Sequence, residues 1–81
     1  MTTFNVSVRA VTLFGEALRR RRKLLGWSQT ELAHRSGIRQ KNISAIENGA
    51  AGVRLATVFR ILAALNLELT LRQRNPPGTV T

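Results

Sequence analysis

Gln29–Asn48 reads QTELAHRSGIRQKNISAIEN. A single glycine, Gly37, stands between two short runs whose apolar residues keep helical spacing. Leu32 and Ala33 fall midway along the first run, and Ala33 is small enough to let a second helix cross close to it. Gly37 can take the positive φ that a tight turn needs. Ile38, Ile43 and Ile46 supply the apolar side of the second run; Ile43 and Ile46, three apart, share a face. Arg39, Gln40, Lys41, Asn42 and Ala45 are left pointing elsewhere, and most of these are groups that bind phosphates or base edges. The caps agree. Ser28-Gln29-Thr30-Glu31 fits the S-x-x-E capping box, with Ser28 as N-cap and Glu31 at N3. Asn48-Gly49 is a helix stop.

A plain helical hairpin can use the same glycine turn. The capping box, the small Ala33, Gly37 and isoleucines at these offsets form a narrower pattern. It fits a helix–turn–helix, which lays its second helix in the major groove of DNA.

Composition points the same way. The 81 residues make one small domain, and 43% hydrophobic residues give a thin core. Domains of this size are marginal alone, and association of two copies is a common remedy. Thirteen Lys and Arg against four Asp and Glu give a net charge of +9, which suits a polyanionic partner. No apolar run approaches a membrane span, so a membrane partner is not expected. With no cysteine, neither a disulfide framework nor a thiolate metal site can form, and a reducing compartment is compatible. The start, MTTFNVSVRAV, lacks a basic region followed by an apolar stretch, so no signal peptide is read. The expected location is the cytoplasm.

Outward from the motif, residues 1–11 read as an extended segment, with Val6 and Val8 alternating with Ser7 and Arg9. A first helix is expected over 12–25, with Phe14, Ala17, Leu18, Leu24 and Leu25 near one face and Gly26 ending it. Helices over 29–36 and 40–47 follow, then a fourth over 55–65 in which Leu55, Val58, Ile61, Leu62 and Leu65 keep helical spacing. Trp27 is expected beneath the motif and Asn66 as a left-handed C′ residue. The helical domain thus spans 12–66. Leu67, Leu69 and Leu71 alternate with Glu68, Thr70 and Arg72, so 67–74 reads as a strand. A lone strand needs a partner: either the Val6/Val8 segment or the same strand of a second chain, which would give an isologous dimer. The second is favoured, because helix–turn–helix units act as two-fold dimers on palindromic sites. Residues 75–81 read as a disordered tail.

Gly26-Trp27-Ser28-Gln29 through Glu47-Asn48-Gly49 resembles the lambda-repressor-like (Xre) helix–turn–helix family. Four helices followed by Asn66-Leu67-Glu68-Leu69-Thr70-Leu71 narrow this to the HipB-type antitoxins, whose dimers join through a C-terminal strand. The resemblance implies an all-α lambda-repressor-like domain with a C-terminal dimerisation β-strand. It also implies a repressor of its own operon that neutralises a HipA-type serine/threonine kinase toxin, and a partly buried ion pair between Arg22 and Glu47. Arg39 and Arg54 depart from the pattern, standing where relatives often carry a small polar N-cap.

Gln40 is the strongest base-reading candidate, because its amide can pair two-fold with an adenine edge. Lys41, Asn42 and Ala45 are the other base-reading candidates. Ser28, Gln29, Thr30, Arg39, Ser44 and Asn48 are expected on phosphates, and the resemblance adds that Gln29 braces the recognition helix. Leu67, Leu69 and Leu71 are the expected dimerisation residues. Arg19 to Lys23 reads RRRRK; on a helix these side chains point all around the cylinder, so some only face solvent. One histidine, His34, and four scattered glutamates make no metal cluster or acid/base pair. With no phosphate loop or nucleophile–base set either, neither an enzyme nor a cofactor is expected. Three alternatives stand beside the antitoxin: a repressor with no toxin, a basic module holding RNA or an acidic protein, and a membrane-surface helix around Leu18–Trp27.

Overall fold

The computed structural model describes residues 3–74; the expected disordered tail, 75–81, lies outside the described residues. Four helices appear among them: α1 (Val11–Leu24), α2 (Gln29–Ser36), α3 (Gln40–Glu47) and α4 (Leu55–Ala64). Both motif helices fall on the bounds their signals set. The Oγ of Ser28 accepts the backbone N–H of Glu31 at 3.0 Å, and Gly37 closes α2 with φ 73°. A second device tightens this turn. Ser36 is buried, and its Oγ accepts the N–H of Ile38 at 3.2 Å. Asn66, at φ 57°, closes α4, and the next N–H, of Leu67, returns to the carbonyl of Leu62 at 2.8 Å.

The core is one cluster. Leu18 from α1, Leu32 from α2, Ile43 and Ile46 from α3, and Ile61 and Leu62 from α4 meet there with Ile38 and Leu65. Burying a residue of this class contributes about 1.5–3 kcal/mol. Phe14, Trp27, Val58 and Leu67 pack against the cluster's edge.

Two expectations change. Leu24 is 65% exposed, because α1 stops there and the chain reverses at Gly26, φ 76°. The Glu31 carboxylate does not close the capping box; it accepts from Nε of Arg35 at 2.6 Å, one turn along α2. Arg35 in turn lies 4.2 Å above the Trp27 ring. Residues 67–73 form no strand within this chain. The alternation is present, but among the described residues no backbone hydrogen bond joins 67–74 to the N-terminal segment. A strand without a neighbour has no ladder to close.

Candidate nucleic-acid interface

The interface begins in the core. Arg22 on α1 and Glu47 at the end of α3 are 7% and 5% exposed. Nε of Arg22 donates to Oε2 of Glu47 at 2.7 Å and Nη2 to Oε1 at 2.9 Å, a bidentate pair. Nη1 donates to the carbonyl of Trp27 at 2.8 Å, so one guanidinium fixes the start of the motif and the end of its second helix. Burial alone pushes the Glu47 carboxyl up. Hydrogen bonds from Arg22 and Gln29, with the charges of Arg22 and Arg19, outweigh it and hold the group below its ordinary value. The bond to Glu47 likewise raises Arg22 against its own desolvation.

From this pair a chain of hydrogen bonds runs to the surface. Nε2 of Gln29 donates to Oε1 of Glu47 at 3.1 Å. Nε2 of Gln40 donates to Oε1 of Gln29 at 2.7 Å. The sense of this chain is physically fixed. An ionised carboxylate only accepts, so Gln29 must turn its NH₂ inward and its carbonyl toward Gln40. Gln40 must then offer its NH₂ to Gln29. Its carbonyl oxygen and second amide hydrogen stay free on the exposed face of α3. An acceptor beside a donor is what the major-groove edge of adenine pairs with.

Around Gln40, the side chains of Arg39, Lys41, Asn42, Ala45 and Asn48 are exposed, and Ser44 is half-buried. Ser28 and Thr30 are exposed at the start of α2, where Gln29 is half-buried. The motif thus gathers the candidate base-reading and phosphate-contacting residues at the N-terminus of α2 and along the outer side of α3. Arg39 caps α3 without a side-chain bond, as Arg54 does α4. Neither Leu69 nor Leu71 lies near this face in sequence; they are 46% and 91% exposed on the C-terminal segment, while Leu67 is half-buried against the core.

Two residues that hold the face in place were not singled out by the sequence reading. Gly15 is buried where α1 crosses the end of α3; a Cβ there would fall on the carbonyl oxygens of Ile46 and Glu47, the latter 2.8 Å away. The available signal was a glycine inside a helical pattern, which needs a packing reason. Arg21, within the basic run, donates from Nε to the carbonyl of Leu65 at 3.0 Å and ties α1 to the end of α4. Arg19, Arg20 and Lys23 remain exposed.

Among the described residues no group of His, Cys, Asp and Glu could hold a metal ion, and no helix is long and apolar enough to cross a membrane.

Residues 18–71 match the helix–turn–helix family. The antitoxin HipB of Escherichia coli strain K12 is 42% identical over 60 residues, 74% of this chain and 68% of that protein. Two solved structures align over 88% of this chain and 100% of theirs at 35% identity. They are described as "HipB-O4 20mer complex", TM-score 0.81, and "Structure of HipA-HipB-O2-O3 complex", TM-score 0.80. A short recognition helix braced from the core, an exposed polar face and these likenesses converge: the chain belongs to the helix–turn–helix family that includes the antitoxin HipB.

Proposed function

We propose that this chain is a sequence-specific double-stranded DNA-binding repressor and the antitoxin of a toxin–antitoxin pair. The observation that carries it is the Glu47–Gln29–Gln40 chain, which presents a base-reading amide in one sense on an exposed helix. Gln40 reads a base edge, with Lys41, Asn42 and Ala45 beside it. Ser28, Gln29, Thr30, Arg39, Ser44 and Asn48 take phosphates, as do the free backbone N–H groups at the starts of α2 and α3. Affinity then comes from the phosphate contacts and specificity from Gln40 and its neighbours.

The protein works as a homodimer on a palindromic operator, joined through Leu67, Leu69 and Leu71. HipB is found in complex with HipA, which supports a HipA-type kinase as the partner here. The protein acts in the cytoplasm, on the nucleoid, and represses its own operon. It is not an enzyme and needs no cofactor.

Gln40→Ala should reduce preference for the operator over random duplex by about 1–3 kcal/mol. Asn48→Ala should weaken both duplexes evenly. Unchanged base preference in Gln40→Ala would remove Gln40 from the reading role. A HipA-type kinase gene is expected beside this one, and co-expression should relieve that kinase's growth arrest; no such gene, or no relief, would leave a repressor without a toxin.

A further inference from the structure

The N-terminal segment and the C-terminal segment run side by side without pairing. Their direction can be read from two contacts. At one end, the Phe4 ring lies 5.6 Å from the guanidinium of Arg21, which itself donates to the carbonyl of Leu65. Further along, Oγ of Ser7 accepts Nη2 of Arg72 at 3.4 Å. The residues advance together, from 4 to 7 and from 65 to 72, so the two segments are parallel. Between them lies a groove of about 840 Å³, with Phe14, Leu18 and Leu62 among its lining residues. Neither rim, 3–9 nor 67–73, is helical. Among the described residues no backbone hydrogen bond crosses the groove, and the bond that does cross runs through a long arginine side chain.

Two parallel rims with a lane between them suit one added strand running the opposite way. Hydrogen-bonded neighbours then lie about 4.8 Å to either side of it. A second copy of this chain can supply that strand. A two-fold axis beside the C-terminal segment sets the second copy's 67–73 antiparallel to it. Applied twice, the operation closes: each C-terminal strand lies between the other copy's C-terminal strand and the other copy's N-terminal segment. The order is N-terminal, C-terminal of the second copy, C-terminal, N-terminal of the second copy, and every neighbouring pair is antiparallel.

Side-chain chemistry selects the register. Centred on Thr70, Glu68 stands opposite Arg72 of the second copy and Leu69 opposite Leu71, each pair occurring twice. Opposite charges and apolar pairs directly across a ladder are favourable. The Ser7–Arg72 contact then puts Ser7 beside Glu68 of the second copy, in one polar row. On the other face, Val6, Leu69 and Leu71, exposed by 37%, 46% and 91% in one chain, would close over the groove.

We propose that residues 3–9 form the outer strands of a four-stranded antiparallel sheet shared by two copies, each clasping the other's C-terminal strand against its own helices. This rests on the homodimer reading above and adds a part for the N-terminal segment.

The chain has no cysteine, so placed cysteines report cleanly. Ser7, Glu68 and Thr70 are all exposed, so replacing them leaves the core untouched. Directly opposed strand positions have Cα atoms about 4.5–5.5 Å apart, within disulfide reach. Ser7→Cys chains are mixed with tagged Glu68→Cys chains and oxidised, Thr70→Cys is oxidised alone, and each sample is sedimented. The proposal expects a Ser7–Glu68 linked heterodimer, a Thr70–Thr70 linked homodimer, and no self-linking of Ser7→Cys. If Thr70→Cys links and the heterodimer does not form, the clasp is wrong and the dimer stands. A dimer by sedimentation in which Thr70→Cys fails to link overturns the register. A single-chain mass with no link in either sample overturns the clasp and the homodimer reading together.

Discussion

The centre of the motif and the end segments 3–9 and 67–74 both mix polar with apolar residues, yet only the centre is closed by a continuous network of hydrogen bonds. In the centre, Arg22, Glu47, Gln29 and Gln40 satisfy one another in sequence from core to surface. Among the described residues no buried side-chain nitrogen or oxygen lacks a partner. At the ends, the leucine alternation of 67–71 leaves Leu71 almost wholly exposed and the neighbouring backbone unladdered. The difference teaches where each function resides. Reading DNA needs a rigid helix face, which one chain supplies. Spanning a two-fold operator needs a second chain, and the proposed place for it is this unpaired edge.

The largest effect is expected at the centre of the motif. Glu47→Ala would leave Arg22 buried and unpaired, and should cost about 3–5 kcal/mol of stability. Urea unfolding measures it, and a loss below 1 kcal/mol would mean the pair does not hold the motif together. Gly15→Ala comes next, at about 1–3 kcal/mol by overpacking, since the atoms met are backbone and cannot swing aside. The same unfolding series checks it.

Acid should separate the two regions further. The folded Glu47 carboxyl is held below its unfolded value of about 4.3. Its contribution to stability is therefore fully present above that pH and fades as pH falls through the lower folded value. Stability measured from pH 6 downward should decline in this window, and Glu47→Gln should decline less over it. Equal slopes would assign the acid sensitivity to other groups.

Gln29→Ala should act more gently. The ion pair survives, so stability should change by less than about 1 kcal/mol, the usual worth of one hydrogen bond. Operator preference should nonetheless fall, because the Gln40 amide loses its fixed sense. Competition binding reads this; a retained preference would make the chain of amides ornamental. The smallest effect on folding belongs to Leu71→Asp. It should stay within about 0.5 kcal/mol in dilute single chains, as for any exposed site. Its effect should appear as a raised dimer dissociation constant in sedimentation, and an unaltered constant would place the dimer contact elsewhere.

Much of the fold was legible because its signals are local. Ser28, Gly37, Asn66 and the isoleucine spacing each act within a few residues, and α2 and α3 fall where these place them. Glu31 was misread for a local reason too: Arg35, four residues on, captures its carboxylate before it can reach back to the cap. What sequence spacing could not carry was contact across elements. The Gln29–Gln40 bond depends on how two helices cross, and no period in the sequence encodes that angle. The Arg22–Glu47 pair, 25 residues apart, was anticipated from family resemblance rather than from spacing. Gly15 went unread because a helix pattern tolerates a single glycine, and its reason lies in the backbone of another helix. The alternation over 67–71 was visible in sequence, but a strand there depends on a neighbouring strand, and within this chain no ladder forms.

On the proposed function, the exposed face of α3 reads a particular duplex. The most direct test is binding of the purified protein to the DNA upstream of its own gene and to random duplex, across a salt series. Phosphate contacts alone weaken steeply and equally as salt rises. A preference for the upstream DNA that persists at moderate salt, with a two-fold footprint, is the expected result. Equal binding to both duplexes, lost together as salt rises, would mean that the net charge of +9 alone was acting, and would contradict it.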